Sequence, residues 1–151
     1  MDIIGSYSLI RFNYPDESQI PEEFRELIGI GKKVIEVDVF GKKWHLSTLE
    51  EWEMREINMN YGSAPMMNLE YLKRVDILTF SIVKIEDGSN QYDFISEEKK
   101  PILRSILLSL DTKVIDVLYN AYLLLVKKST EEFLKKYSNI LEDISKQIDE
   151  Q

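Results

Sequence analysis

Few side chains in this sequence have the type and spacing that catalysis requires. The single histidine, His45, lies in a predicted strand, with its side chain on the face opposite Trp44. A histidine that acts as a general base needs an orienting group and a nucleophile within reach, and the neighbouring sequence suggests neither. We therefore predict a surface or packing role for His45.

One segment matches a calcium-binding EF-hand loop at most ligand positions but lacks its defining glycine. Residues with side-chain oxygens occupy loop positions 1, 3, 5, 7 and 12, namely Asp87, Ser89, Gln91, Asp93 and Glu98. The sixth position requires glycine for a sharp turn and carries Tyr92, while the fifth carries a neutral amide. The segment is therefore predicted to be a plain turn without a metal.

The remaining candidates for cofactor or acid-base chemistry have simpler explanations. Gly29-Ile30-Gly31-Lys32-Lys33 lacks the spacing of a phosphate loop or a dinucleotide fingerprint, and its glycines fit a helix stop. Acidic pairs such as Glu22-Glu23 and Glu97-Glu98 fit the first turns of helices, where the helix dipole favours negative charge. We predict no catalytic residue, no cofactor and no metal. An enzyme with an unrecognised acidic site is the least favoured alternative.

Length and charge narrow the class of partner. The 151 residues suffice for a domain that folds without disulfides or metals. With 27 acidic and 19 basic residues the net charge is −8, which argues against nucleic acid because its affinity comes largely from neutralising phosphates. The basic pairs are scattered among acids and are predicted to be solvated: Lys32-Lys33, Lys42-Lys43, Lys99-Lys100, Lys127-Lys128 and Lys135-Lys136.

Two features bear on the compartment. The chain has no cysteine, which excludes disulfides and thiolate chemistry and fits a reducing, cytosolic environment. Its most apolar long stretch, Pro101 to Val126, is interrupted by charged residues and is not predicted to span a membrane. We therefore expect no membrane partner.

The N-terminal third is predicted to hold a small antiparallel sheet. The first residues alternate weakly and suggest an N-terminal strand or extended arm, followed by a short helix from Pro21 to Ile28. Val34 to Val39 alternates between apolar and acidic residues, as a half-buried strand does. Gly41-Lys42 is predicted to be the two-residue turn into a second strand, which carries Trp44 and Leu46.

Helices are predicted for most of the remaining chain. Thr48 and Glu51 have capping-box spacing and are expected to open one helix, and Asn68 caps a second. The segment from Thr79 to Ile85 fits a continuation of that second helix and, by its alternation, equally fits a strand. After a glycine turn, another helix is expected from about Ser96 to Leu110.

The last segment, roughly Thr112 to Ile148, is amphipathic and carries two apolar stripes. The first includes Leu118 and Leu125, and the second begins at Phe133. At about 100° per residue, the second stripe is rotated by roughly a third of a turn. Either the helix breaks near Ser129, or one helix offers its first half to the core and its second half to something else.

These patterns predict an α+β, mainly α fold: a small antiparallel β-hairpin or sheet in the N-terminal third, then a helical bundle with a long C-terminal amphipathic helix. We expect residues 1–128 to form a single α+β domain and residues 129–151 to form a C-terminal helical arm. The rotated stripe is the predicted partner-binding site: Phe133, Tyr137, Ile140, Ile144 and Ile148.

Four segments in this order carry a family resemblance: Gly41-Lys42-Lys43-Trp44-His45-Leu46, Ser47-Thr48-Leu49-Glu50-Glu51-Trp52-Glu53, Leu78 to Ile85 closed by Asp87-Gly88, and Val114-Ile115-Asp116-Val117-Leu118-Tyr119-Asn120-Ala121-Tyr122. From Val34 onward the chain resembles the small tail and baseplate-hub assembly proteins of tailed bacteriophages. The resemblance implies a non-enzymatic assembly chaperone bound to a hub or tape-measure protein, or a small baseplate component. It carries over no catalytic residue.

Three interpretations of the partner follow. The first is a tail or baseplate protein, bound in the host cytoplasm during assembly or in the virion tail. The second is a homo-oligomer held by a self-complementary helical or coiled-coil interface. The third is a helical adaptor unrelated to phages.

Overall fold

The computed structural model describes residues 17–28, 30–61 and 69–151. After a 3-10 turn at Glu17–Gln19, the elements are α1 (Glu22–Ile28), β1 (Val34–Val39), β2 (Lys42–Ser47), α2 (Glu51–Tyr61), α3 (Leu69–Ser81), β3 (Ile82–Asp87), β4 (Asn90–Asp93), α4 (Lys100–Leu108), α5 (Thr112–Lys136) and α6 (Ile140–Asp149). This confirms the α+β, mainly α fold class. The predicted N-terminal strand or arm and the Asn68 cap lie outside the described residues.

The four strands form one antiparallel sheet in the order β1-β2-β3-β4. The ambiguous segment from Thr79 to Ile85 contains both predicted structures, because α3 ends at Ser81 and β3 starts at Ile82. The sheet therefore extends beyond the predicted hairpin, and the glycine turn joins β3 to β4. Within the described ranges, no helix combines the length and apolar character needed to cross a bilayer.

The predicted position of the first hairpin turn is wrong by one residue. Val39 pairs with Lys42, so the two-residue loop is Phe40-Gly41, with φ of 56° and 73°. Positive φ at both positions is the pattern of a type I′ turn, whose twist matches that of the flanking strands. Glycine adopts this conformation freely, whereas a phenylalanine there costs about 1–2 kcal/mol.

One helix start is also displaced, because Thr48 has another role. Its hydroxyl oxygen accepts a hydrogen bond from the Lys33 backbone N–H at 3.0 Å, which extends the pairing of β1 with β2. One half of a capping box is made instead by Glu50 and Glu53: the Glu50 N–H donates to Glu53 Oε1 at 2.8 Å. α2 therefore begins at Glu51, and Glu51 is not the residue that closes a capping box with Thr48.

The core lies between one face of the sheet and the helices, with α3 at its centre. Every residue from Val75 to Ile82 is buried. α3 packs against α2, α4 and α5, while Trp44 and Leu46 of β2 contribute the floor of the core. A helix that is buried on all sides requires partners for any polar side chain that it carries.

Lys100 donates hydrogen bonds to the backbone of this buried region. The prediction that its side chain is solvated is therefore wrong. The residue is only 1% exposed and is the first residue of α4, whose start is predicted at Ser96 or soon after it. Its ammonium donates to the carbonyl oxygens of Thr79, Phe80 and Ile82 at 2.8, 3.2 and 2.9 Å. Lys100 thereby satisfies carbonyls at the junction where α3 becomes β3.

Arg104, one turn further along α4, makes a buried ion pair. Its Nε donates to Asp76 Oδ1 of α3 at 2.6 Å, and the Tyr61 hydroxyl donates to the other carboxylate oxygen. Burial raises the pKa of Asp76, while the bonds from Arg104 and Tyr61 oppose that shift. All three side chains are buried, so the cluster connects α2, α3 and α4 within the core.

Candidate partner-docking surface

The long helix α5 is continuous across Ser129. It starts at the cap Asp111, whose side chain accepts the Lys113 N–H, and ends at Lys136. Its buried residues are Ile115, Leu118, Tyr122 and Leu125. The first half of the helix therefore belongs to the core, and its last three turns extend beyond it.

Polar contacts between the end of α5 and the loop before β1, which we call the clasp, hold this extension in place. The Ser129 hydroxyl donates to the Gly31 carbonyl oxygen at 2.8 Å, so Ser129 does not cap a new helix. Lys33 Nζ lies 2.6 Å from Glu132 Oε2, and this bond lowers the pKa of Glu132. Residues far apart in sequence thus fix the direction of the helix end.

Two of the predicted docking residues, Phe133 and Tyr137, contact each other. Their ring centroids are 4.8 Å apart, and Lys136 Nζ lies 5.3 Å from the centre of the tyrosine ring. Phe133 also approaches the backbone of Gly31, since a Cβ placed there would lie 3.8 Å from Cδ2 of the ring. Together with Ile30, the two aromatic residues line a cavity of about 510 Å³.

The other three predicted residues lie on the separate helix α6. The chain leaves helical geometry at Tyr137, where φ is −117° and ψ is 24°, and α6 then runs from Ile140 to Asp149. None of its residues is buried, although Ile140, Ile144 and Ile148 recur on one side. At about 100° per residue these three side chains fall within a quarter turn.

Sequence reasoning missed two leucines of this region. Leu141 is 79% exposed next to the α6 stripe, and Leu134 is exposed near the end of α5. Spacings of seven residues from Leu134 to Leu141 and from Leu141 to Ile148 would have identified both. The apolar surface is therefore wider than predicted.

The histidine identified from the sequence lies on the other face of the sheet, away from the core. His45 Nε2 is 3.1 Å from Glu86 Oε2, and Nδ1 is 3.7 Å from Glu36 Oε1. The hydrogen bond with His45 lowers the pKa of Glu86. These are cross-strand contacts between β1, β2 and β3. In the parts of the chain that the structure describes, no cluster of histidine and acidic side chains is arranged to hold a metal.

None of the protein-family models, curated proteins or solved structures with which we compared the chain matches it. The candidate surface therefore has to be interpreted from its own chemistry. It combines an exposed apolar helix face with two aromatic rings that contact each other at an angle of 40°, and such surfaces bind other apolar surfaces. It offers hydrophobic contact beside the Lys33–Glu132 ion pair.

Proposed function

We propose that this protein is a non-enzymatic adaptor that binds a partner protein through the apolar face of α6. One observation carries the proposal: α6 has a one-sided apolar stripe, and none of its residues is buried. Burial of apolar surface contributes about 25 cal/mol per Å². An amphipathic helix of this kind gains that free energy by entering a groove on a partner.

The clasp at the end of α5 supports the same proposal. Phe133 is held beside Gly31, and the ring of Tyr137 packs against Phe133. Anchors that are already in place cost less conformational entropy on binding than mobile ones. Aromatic anchors are also common among residues that dominate binding energy.

Within this class, we propose a role in the assembly of a phage tail, with a hub or tape-measure protein as the partner. The support is the resemblance carried by the four segments from Gly41 to Tyr122. The protein would then act in the host cytoplasm during assembly or remain in the virion tail. The neighbouring reading frames test the proposed role in phage tails. A tape-measure or baseplate gene alongside supports this role, whereas unrelated neighbours favour the alternative of a helical adaptor unrelated to phages.

A substitution on α6 tests the docking proposal. The partner is first identified by cross-linking the full-length protein in its source cells, and is then purified for titration. Ile144→Lys places a charge within the apolar stripe and is expected to weaken binding by about 30-fold or more, the size of a hot-spot residue. Isothermal titration calorimetry measures the loss.

Leu124→Lys provides the matched control, because Leu124 is 68% exposed on α5 and lies outside the α6 stripe. It is expected to bind as the unmodified chain does. Equal loss in both variants, or no loss in Ile144→Lys, contradicts docking through α6. Light scattering distinguishes binding of another protein from self-association. If the unmodified chain is an oligomer and Ile144→Lys is a monomer, the apolar face of α6 binds a second copy of this chain.

A further inference from the structure

We propose that a second site, an apolar cleft at the hairpin end of the sheet, binds an uncharged, mainly apolar small molecule. Three cross-strand neighbours form its floor: Trp44 pairs with Ile85, and Ile85 pairs with Tyr92. The other side is lined by Ile106, Leu110 and Val114, at the end of α4 and the start of α5. The cavity between them has a volume of about 460 Å³.

The size and lining of the cleft favour a small molecule. Small-molecule sites are typically about 300–1,000 Å³ and are lined by apolar and aromatic side chains. Trp44, Tyr92, Phe94 and Phe40 supply four aromatic rings to this cavity. The site is separate from the α6 stripe and does not depend on the docking proposal.

Three of the four polar side chains in the lining, all except the half-exposed Tyr92, lie within 3.6 Å of a polar partner, which limits the chemistry of the ligand. The Trp44 indole N–H donates to the Val39 carbonyl oxygen at 3.0 Å. Lys42 Nζ lies 3.6 Å from Asp87 Oδ2, and both side chains are partly exposed. The two charges of that pair offset each other and the rest of the lining is mainly apolar, so the cleft favours an uncharged ligand.

At Trp44 and Ile85, the backbone of the floor offers no place for an added peptide strand. β2 is hydrogen-bonded to β1 and β3, and β3 is hydrogen-bonded to β2 and β4. Strand addition depends on unpaired main-chain groups at a sheet edge, which these two inner strands lack, whereas Tyr92 lies on the edge strand β4. The cleft therefore recognises shape and apolar surface.

The strained turn residue Phe40 is the second observation that points to a ligand. Its φ of 56° is a conformation for which asparagine or glycine is favoured, yet this position carries an aromatic ring that lines the cleft. Backbone strain is retained where the side chain has a use that other residues cannot provide. We infer that the ring closes one side of the ligand site.

Titration of the full-length protein with the uncharged fluorescent probe N-phenylnaphthylamine tests the proposal. We expect a saturable rise in fluorescence with one site per chain. Ile106→Lys and Phe40→Asn are each expected to raise the Kd by about tenfold or more, because they remove apolar surface from the cleft and introduce polar groups. Phe40→Asn is also expected to leave the melting temperature unchanged or higher, since asparagine suits the turn.

Two matched variants complete the experiment. Ile102 lies one turn before Ile106 on α4, is 52% exposed against 41%, and does not line the cleft. Ile102→Lys and Ile144→Lys are expected to bind the probe with unchanged Kd. The proposal is overturned if the unmodified protein shows no saturable binding, if Ile106→Lys binds normally, or if either control loses binding as strongly as Ile106→Lys.

Discussion

Replacing Arg104 by methionine is expected to lower the free energy of unfolding by about 3–5 kcal/mol. The substitution keeps most of the side-chain volume and removes the guanidinium that donates to Asp76 at 2.6 Å. Asp76 is fully buried, so its carboxylate would be left with the Tyr61 hydroxyl alone. Breaking a buried ion pair on one side typically has an effect of this size. Urea denaturation measures it.

Arg74→Met is the matched control for that prediction. Arg74 also pairs with an aspartate, Asp116, at 2.8 Å, but both side chains are partly exposed. We expect this variant to lose about 1 kcal/mol or less, the usual contribution of a surface pair. Equal losses at Arg104 and Arg74 would contradict the importance of burial. Combining Arg104→Met with Asp76→Leu is expected to recover much of the stability, because no unpaired charge remains.

Lys100→Met is expected to cost about 3 kcal/mol or more near neutral pH. The ammonium is the shared donor for three buried carbonyl oxygens at the junction of α3 and β3, and a thioether cannot replace it. The neighbouring Lys99 is exposed, and Lys99→Met is expected to change stability by about 0.5 kcal/mol or less. A similar loss in both variants would exclude the capping role of Lys100.

A comparison of the unmodified protein with Lys100→Met at different pH values gives a second test. Burial lowers the pKa of Lys100 from 10.5 to about 8 in the folded protein. Between those values the unfolded chain binds more protons than the folded one, so this group makes the free energy of unfolding rise with pH. From about pH 7.5 to about pH 9.5, the advantage of the unmodified protein over Lys100→Met is expected to grow by about 1–2 kcal/mol. A constant difference would contradict the lowered pKa.

Local sequence patterns predicted the helices and strands whose pattern of buried residues can be read from neighbouring residues in the chain. The alternation from Val34 to Val39 predicts β1, and the spacing of Leu118 and Leu125 predicts the buried side of α5. Both depend on periodicity, which is a property of the chain alone. Boundaries were less accurate, since the turn at Phe40-Gly41 is decided by strand register and the start of α2 by the pairing of Thr48 with Lys33.

The sequence did not reveal which charges are buried. Lys100 and Arg104 stand four residues apart among the apolar residues of α4, and in sequence they are indistinguishable from a solvated face. Their burial depends on the carbonyls at the α3 to β3 junction and on Asp76, which lie on other elements. Burial of a charge is stable only when such partners are brought to it by the fold.

The sequence by itself determined that the C-terminal segment is amphipathic and that its apolar stripe turns between Leu125 and Phe133, because helical spacing fixes the relative direction of side chains. Only the tertiary structure decided that the helix continues past Ser129, since the bonds from Ser129 to Gly31 and from Glu132 to Lys33 join residues distant in sequence. The apolar cleft likewise depends on packing between sheet and helices, which no single segment specifies.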